Sequence, residues 1–181
     1  MAGSRDAGRR QAGLLRRPGG AAYDSVSAEA LISAPLGTVW EAVWSPETSR
    51  SLNPALVAYA GRVPGTPPLQ AGEMQYCICR HADGRLTADV HVVSEFAYQQ
   101  SALTQRVGPP WTQVLHLVAP EAGGTRLTLT WRWPAGTLRE DSPDVRRSLT
   151  ELMQKNANGY QVIIEASARA AAARQPGSAS R

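Results

Sequence analysis

A chain of 181 residues, 43% of them hydrophobic, is long enough for one domain with a sizeable core, which excludes an intrinsically disordered polymer. The net charge of +4 invites a nucleic-acid reading, but the charge is not on the folded part. The first twenty residues carry five Arg against Asp6 alone and the last thirteen carry three Arg and no acid, which leaves 11 basic and 14 acidic residues from Ala21 to Ala168 and excludes a basic binding face there.

In chain order, residues 1–24 form a tail rich in Gly, Ala and Arg, expected to be disordered. Its Arg9–Arg10 and Arg16–Arg17 pairs lack the apolar stretch of an export signal, so a cytoplasmic location is expected. Val26, Ala28, Ala30 and Ile32 then alternate with Ser27, Glu29, Leu31 and Ser33, which predicts a half-buried strand ended by Pro35. Val39, Trp40, Val43 and Trp44 recur at helical spacing, and Ser45-Pro46 opens a second short helix. Leu56–Val63 reads as a strand. Two runs, Gly72–Ala82 and Arg85–Phe96, flank Asp83-Gly84, a two-residue hairpin signal. Ser101–Val107, Trp111–Ala119 and Gly124–Trp133 follow, separated by Gly/Pro loops short enough to demand antiparallel neighbours. After a polar loop, Pro134–Asp144, a long helix runs to about Ala168 with Leu149, Leu152, Met153, Asn156, Tyr160, Ile163 and Ile164 on one stripe. Residues 169–181 are a second basic tail. No run approaches the roughly 18 apolar residues of a membrane span.

Strand, two short helices, about six strands and a long helix make an α+β domain over residues 25–168. Its expected shape is a curved antiparallel sheet of about seven strands around the C-terminal helix. The order resembles the START/polyketide-cyclase superfamily, also called SRPBCC, with its helix-grip fold. The likeness rests on Ala28-Glu29-Ala30-Leu31-Ile32-Ser33-Ala34-Pro35, Val39-Trp40, Ser45-Pro46-Glu47 and Gly72. It continues through Gly123-Gly124-Thr125-Arg126-Leu127-Thr128 and the last amphipathic helix. It covers about Val26 to Ala168 and implies a fold, with activities from polyketide aromatase/cyclases to lipid carriers. No residue matches a catalytic signature of the family.

Alternation also assigns faces. In the last hairpin Leu127, Leu129, Trp131 and Trp133 face inward, opposite Val114, His116 and Val118, and extension across the Gly108 loop adds Leu103, Gln105 and Val107. A two-residue Asp83-Gly84 turn puts Cys77, Cys79, Leu86, Ala88, Val90 and Val92 on one face, and Met74, Tyr76, Ile78, Arg80, Asp89, His91 and Val93 on the other. The first set is smaller and more apolar and is assigned inward; a one-residue bulge would exchange the two. Small side chains opposite Trp131 and Trp133 imply a cavity for an apolar molecule.

The expected ligand contacts are Cys77, Val90, Val92, Leu103, Gln105, Val114, Leu129, Trp131, Trp133, Leu152 and Asn156. His116 and Tyr160 are the candidate catalytic groups, His116 because an imidazole near pKa 6.5 suits proton transfer; a satisfied core histidine is the alternative. Asn156 stands on an apolar stripe, where an unpaired amide costs about 1–3 kcal/mol, so it is expected to contact ligand or bound water. Cys77, Cys79 and His81 are strung over about 13 Å along a strand and cannot all close on one ion, so neither metal nor cofactor is expected. Cys77 and Cys79 are expected as reduced thiols, since about 7 Å between them suits a disulfide poorly. The resemblance and the cavity together imply a polyketide cyclase/dehydratase-like protein that folds its substrate. The alternative is a non-catalytic carrier of a lipid, quinone or pigment.

Overall fold

The computed structural model describes residues 22–109, 111–137 and 143–174. The expected tail 1–24 lies outside this range except for its last three residues, of which Tyr23 and Asp24 belong to the first strand, and the helix start expected at Ser142 lies outside it too. Of the expected second tail, residues 169–173 continue the last helix, and only those beyond Arg174 lie outside the range. Ten elements follow in chain order: β1 (Tyr23–Ile32), α1 (Leu36–Val43), α2 (Pro46–Leu52), β2 (Val57–Arg62), β3 (Met74–Arg80), β4 (Leu86–Ala97), β5 (Ser101–Arg106), β6 (Gln113–Glu121), β7 (Gly124–Pro134) and α3 (Pro143–Ala173). The seven strands form one antiparallel sheet in the order β1-β7-β6-β5-β4-β3-β2. Chain neighbours pair throughout except that β1 crosses to the far edge against β7. The α+β helix-grip architecture read from the sequence is the one observed.

The core lies between the concave face of the sheet and α1 and α3. Along β1, Val26, Ala28, Ala30 and Ile32 are buried while the residues between them face outward. Leu127 and Leu129 continue that face onto β7, opposite Ala30 and Ala28. Met153, Ala157, Tyr160 and Ile164 of α3 pack onto it. Their spacing of four, three and four residues is one helical face, and this is why a helix of modest overall hydropathy docks at all. Ser45 stands at the N-cap of α2 with Pro46 behind it, but its hydroxyl donates to Glu47 Oε2 (2.6 Å) and not to the α2 backbone. The Gly123-Gly124 turn meets the end of β1 closely: a Cβ on Gly124 would stand 2.0 Å from the Ile32 carbonyl oxygen, so only glycine fits.

Two registers differ from expectation and decide what faces inward. In the β3–β4 hairpin the His81 amide donates to the Arg85 carbonyl (2.8 Å), so the loop holds three residues, Ala82-Asp83-Gly84, with Gly84 at φ 81°. The loop closes on a left-handed glycine and is one residue longer than the two-residue turn that Asp-Gly suggests. Cys77 therefore pairs with Asp89 and Cys79 with Thr87, whereas Val90 pairs with Tyr76 and Val92 with Met74. The concave face carries Gln75, Cys77, Cys79, Thr87, Asp89, His91 and Val93; Ala88, Val90 and Val92 turn to the convex side. On β5, Gln105 pairs with Gln113 and Leu103 with Leu115, so these two are also convex, and Ala102 and Thr104 share the face of His116 and Val114.

Candidate functional site

Helices α1 and α2 cross the open end of the sheet, and beneath them a cavity of about 200 Å³ remains. Its walls include Val43 of α1 and Trp44 just past its end, Ser49 from α2, Cys77 from β3, His91 from β4, Val114 and His116 from β6, and Tyr160 from α3. A wider depression of about 330 Å³ lies on the outer side of α2 against Arg50, Ser51 and Tyr59. It is built of exposed and charged groups, so the inner cavity is the better candidate for recognition. Ala60 of β2 lines both.

Trp44 is held as a rigid wall. Its Nε1 donates to Glu73 Oε2 (3.3 Å), and Arg62 Nη2 donates to the Trp44 carbonyl (3.1 Å). Glu73 is fully buried and also accepts from Arg62 Nε (2.9 Å), Gln75 Nε2 (2.8 Å) and the Leu69 amide. Burial pushes this carboxyl up, but the bonds from Gln75, Leu69, Trp44 and Arg62 outweigh it and hold it below the ordinary carboxylate range. The Trp44 ring stacks on Trp40 (6.0 Å) and stands edge-on to His116 (6.2 Å, 88°).

His116 Nδ1 is buried with no hydrogen-bond partner among the described residues. Burial pushes the imidazole down to about 4, against a backbone contact with Ala102, so the ring is neutral at physiological pH. Across the cavity, burial pushes the Tyr160 phenol up to about 12, with Ser49 as its hydrogen-bond neighbour. His91 is also lowered by burial, despite Asp89 beside it. The Cys77 thiol is pushed up to about 12 by burial, with Cys79 adding to the effect. Asp89 is matched by Arg106, whose Nε (2.9 Å) and Nη2 (2.7 Å) both donate to Oδ1. The polar groups facing the cavity are thus neutral donors and acceptors.

Of the residues singled out from the sequence, the cavity gathers His116, Tyr160, Cys77 and Val114. Leu129 and Trp133 are core, and Trp131 stands edge-on to Trp133 (5.9 Å), away from the lining. Arg146 of α3 covers the Trp133 ring at 5.6 Å. Leu152 is 40% exposed. Asn156 accepts from Asn53 Nδ2 (3.2 Å) and so ties α3 to the end of α2. Val90, Val92, Leu103 and Gln105 stand on the other side of the sheet, for the register reasons given above. Trp44, Thr104 and Gln75 line the cavity unannounced, and His91 lines it because the face assigned outward is the concave one. Trp44 had a visible signal, the α1 spacing, but that spacing reads equally as solid core.

No protein-family model matches the sequence, and no curated protein is similar to it. Solved structures are similar in fold. Ara h 8.0201 matches with a TM-score of 0.61 at 11% identity, over 79% of this chain and 98% of its own. TTHA0849 from Thermus thermophilus matches at 0.60 with 19% identity, over 80% and 99%. The di-domain ARO/CYC StfQ from the steffimycin biosynthetic pathway matches at 0.60 with 12% identity over 83% of this chain; that is 52% of StfQ, so the chain spans about half of that protein. This chain carries the helix-grip fold. Identities this low establish the helix-grip fold and leave activity to the site. Among the described residues no helix is long and apolar enough to cross a membrane.

Proposed function

We propose that the chain binds a small, uncharged, mostly apolar molecule bearing one or two hydrogen-bonding oxygens in the cavity beneath α1 and α2. The observation that carries this reading is the unpartnered Nδ1 of His116 in the wall of an aromatic-lined hollow that also holds the Tyr160 phenol. A buried polar atom without a partner costs about 1–3 kcal/mol, which a ligand hydroxyl or carbonyl can recover. Size follows from volume. A dry cavity of about 150 Å³ accepts one benzene ring, so about 200 Å³ suits one ring with a small substituent. Charge is selected against, because a buried anion would meet no unpaired cation at His116. The way in runs between α2 and β2, where Ala60 is common to the cavity and the outer depression.

A catalytic form of this reading follows from the likeness to the aromatase/cyclase StfQ. A carbonyl-bearing chain held in a bent conformation would cyclise with His116 accepting a proton and Tyr160 donating one, most of the rate coming from restricted geometry. The cavity volume favours the carrier form, since a multi-ring polyketide exceeds it. Thermal melts with acetophenone, phenol and benzoate test the proposal. The two neutral compounds are expected to raise Tm, with about 2.7 kcal/mol of stabilisation at a hundredfold excess over Kd, and benzoate is expected to do nothing. Equal effects from all three, or none from any, would refute it.

A further inference from the structure

The three-residue β3–β4 loop has a second consequence. Cys77 and Cys79 lie two apart on β3 and share its concave face, and the register sets Asp89 of β4 directly opposite Cys77. The two Sγ atoms are 3.7 Å apart. Ligand atoms of Cys77, Cys79 and Asp89 all lie within 4.8 Å of one another, and all three side chains are half-buried. His81, the third group along β3, is excluded: its Nε2 is hydrogen-bonded to Thr87 Oγ1 (2.9 Å). The third ligand comes from across the hairpin and not from further along the strand.

We propose that Cys77, Cys79 and Asp89 form a three-ligand site for a thiophilic divalent cation of the zinc class. Tetrahedral geometry with metal–sulfur bonds of ~2.3 Å requires the two sulfurs about 3.8 Å apart, which is the spacing already present. The carboxylate has to approach by about 1 Å to complete the set at metal–oxygen bonds of ~2.0–2.2 Å. Charge also balances. Without an ion the site holds two neutral thiols, the Asp89 carboxylate and the Arg106 guanidinium, a net of zero. Binding M²⁺ releases two protons from the thiols to solvent and leaves two thiolates, one carboxylate, one guanidinium and the ion, again a net of zero. Arg106 contacts only Oδ1 of Asp89 in the bonds described, so it orients the carboxylate as an outer partner. Cys77 lines the cavity, so the fourth corner of the tetrahedron opens toward it and is left for water or a solute. The ion site stands whether or not the cavity accepts an organic ligand.

The test is titration of the reduced full-length chain with Co²⁺, a spectroscopic stand-in for Zn²⁺. One equivalent is expected to give a near-ultraviolet thiolate-to-cobalt charge-transfer band and visible bands of tetrahedral strength, both bleached by Zn²⁺. Cys77→Ser and Cys79→Ser are each expected to remove the charge-transfer band. Asp89→Asn is expected to keep the band but weaken binding by more than about 10-fold, the loss seen even for outer partners of metal sites. The proposal is overturned if the unaltered reduced protein shows no thiolate band, if the band persists in the double serine variant, or if Asp89→Asn binds as tightly as the parent. The first reading uses the unaltered chain, so a poorly folding variant cannot rescue it.

Discussion

His116 joins chemistry to stability through one ring. Its neighbours are Trp44 edge-on, Leu129 and Ala102 across the ladder, and the cavity; among the described residues nothing meets Nδ1. Only the neutral form fits, and the unfolded chain takes up a proton near pH 6.5 where the folded one waits until about 4. The stability linked to this residue is therefore complete above pH 6.5 and is lost as pH falls toward 4. His116→Leu is expected to remove about 2 kcal/mol of the decline between pH 7 and pH 5, measured by urea unfolding at each pH. An unchanged decline would show that the ring is solvated. Glu73 acts in a lower window: its carboxyl is held below the usual range, so its contribution fails only as pH falls below about 4.5. The inward placement of His116 was legible, because Leu127, Leu129, Trp131 and Trp133 mark the apolar face of β7 and the expected pairing of His116 with Leu129 is the one observed. That of Glu73 was not, since a lone acid in a loop before a strand has no periodicity to mark it.

Among the elements, turn length decides more than strand composition. Asp83-Gly84 supports either a two-residue or a three-residue loop with the same glycine at positive φ, so the sequence alone leaves the register open. One residue of difference moved Val90 and Val92 outward and brought Asp89 and His91 in, which turned an apolar wall into a polar one. At β5 the pairing of Gln105 with Gln113 had the same effect on Leu103 and Gln105. By contrast β1 and β7 were read correctly, because each has one clearly apolar face and no ambiguous turn; on α3 the expected stripe holds at Met153, Tyr160 and Ile164, while Leu152 is exposed and Ala157 joins the core. The Gly123-Gly124 corner gives this part of the account its test. Gly124→Ala drives a methyl into the Ile32 carbonyl and should cost toward the upper end of ~1–3 kcal/mol, while Gly123→Ala, with nothing within 4 Å of its Cβ, should cost only the ~1–2 kcal/mol of a left-handed backbone. Denaturant midpoints that rank the two in the opposite order would show that β1 does not depend on this contact.

For the whole molecule, seven strands wrapped on a 31-residue helix leave space where the helix no longer covers the sheet. Of the hollow, only the inward placement of Cys77, Val114, His116 and Tyr160 was legible, since Ala88, Val90 and Val92 face the other way and Trp131 and Trp133 stand off its lining. Its place and volume were not, because they depend on the orientation of Trp44, fixed by Glu73 and Arg62 from a loop and an edge strand. The tryptophans of β7 serve the core and α3, and the α1 tryptophans shape the cavity. The cavity beneath α1 and α2 is the claim on which the functional reading turns. Calorimetric titration of acetophenone into the parent chain and into Val114→Phe, which fills the hollow from β6, tests it most directly. Saturable one-to-one binding to the parent and at least ~10-fold weaker binding to the folded variant is the result expected, since a ring already occupies the space. Equal affinity in both would place the ligand elsewhere and contradict the account.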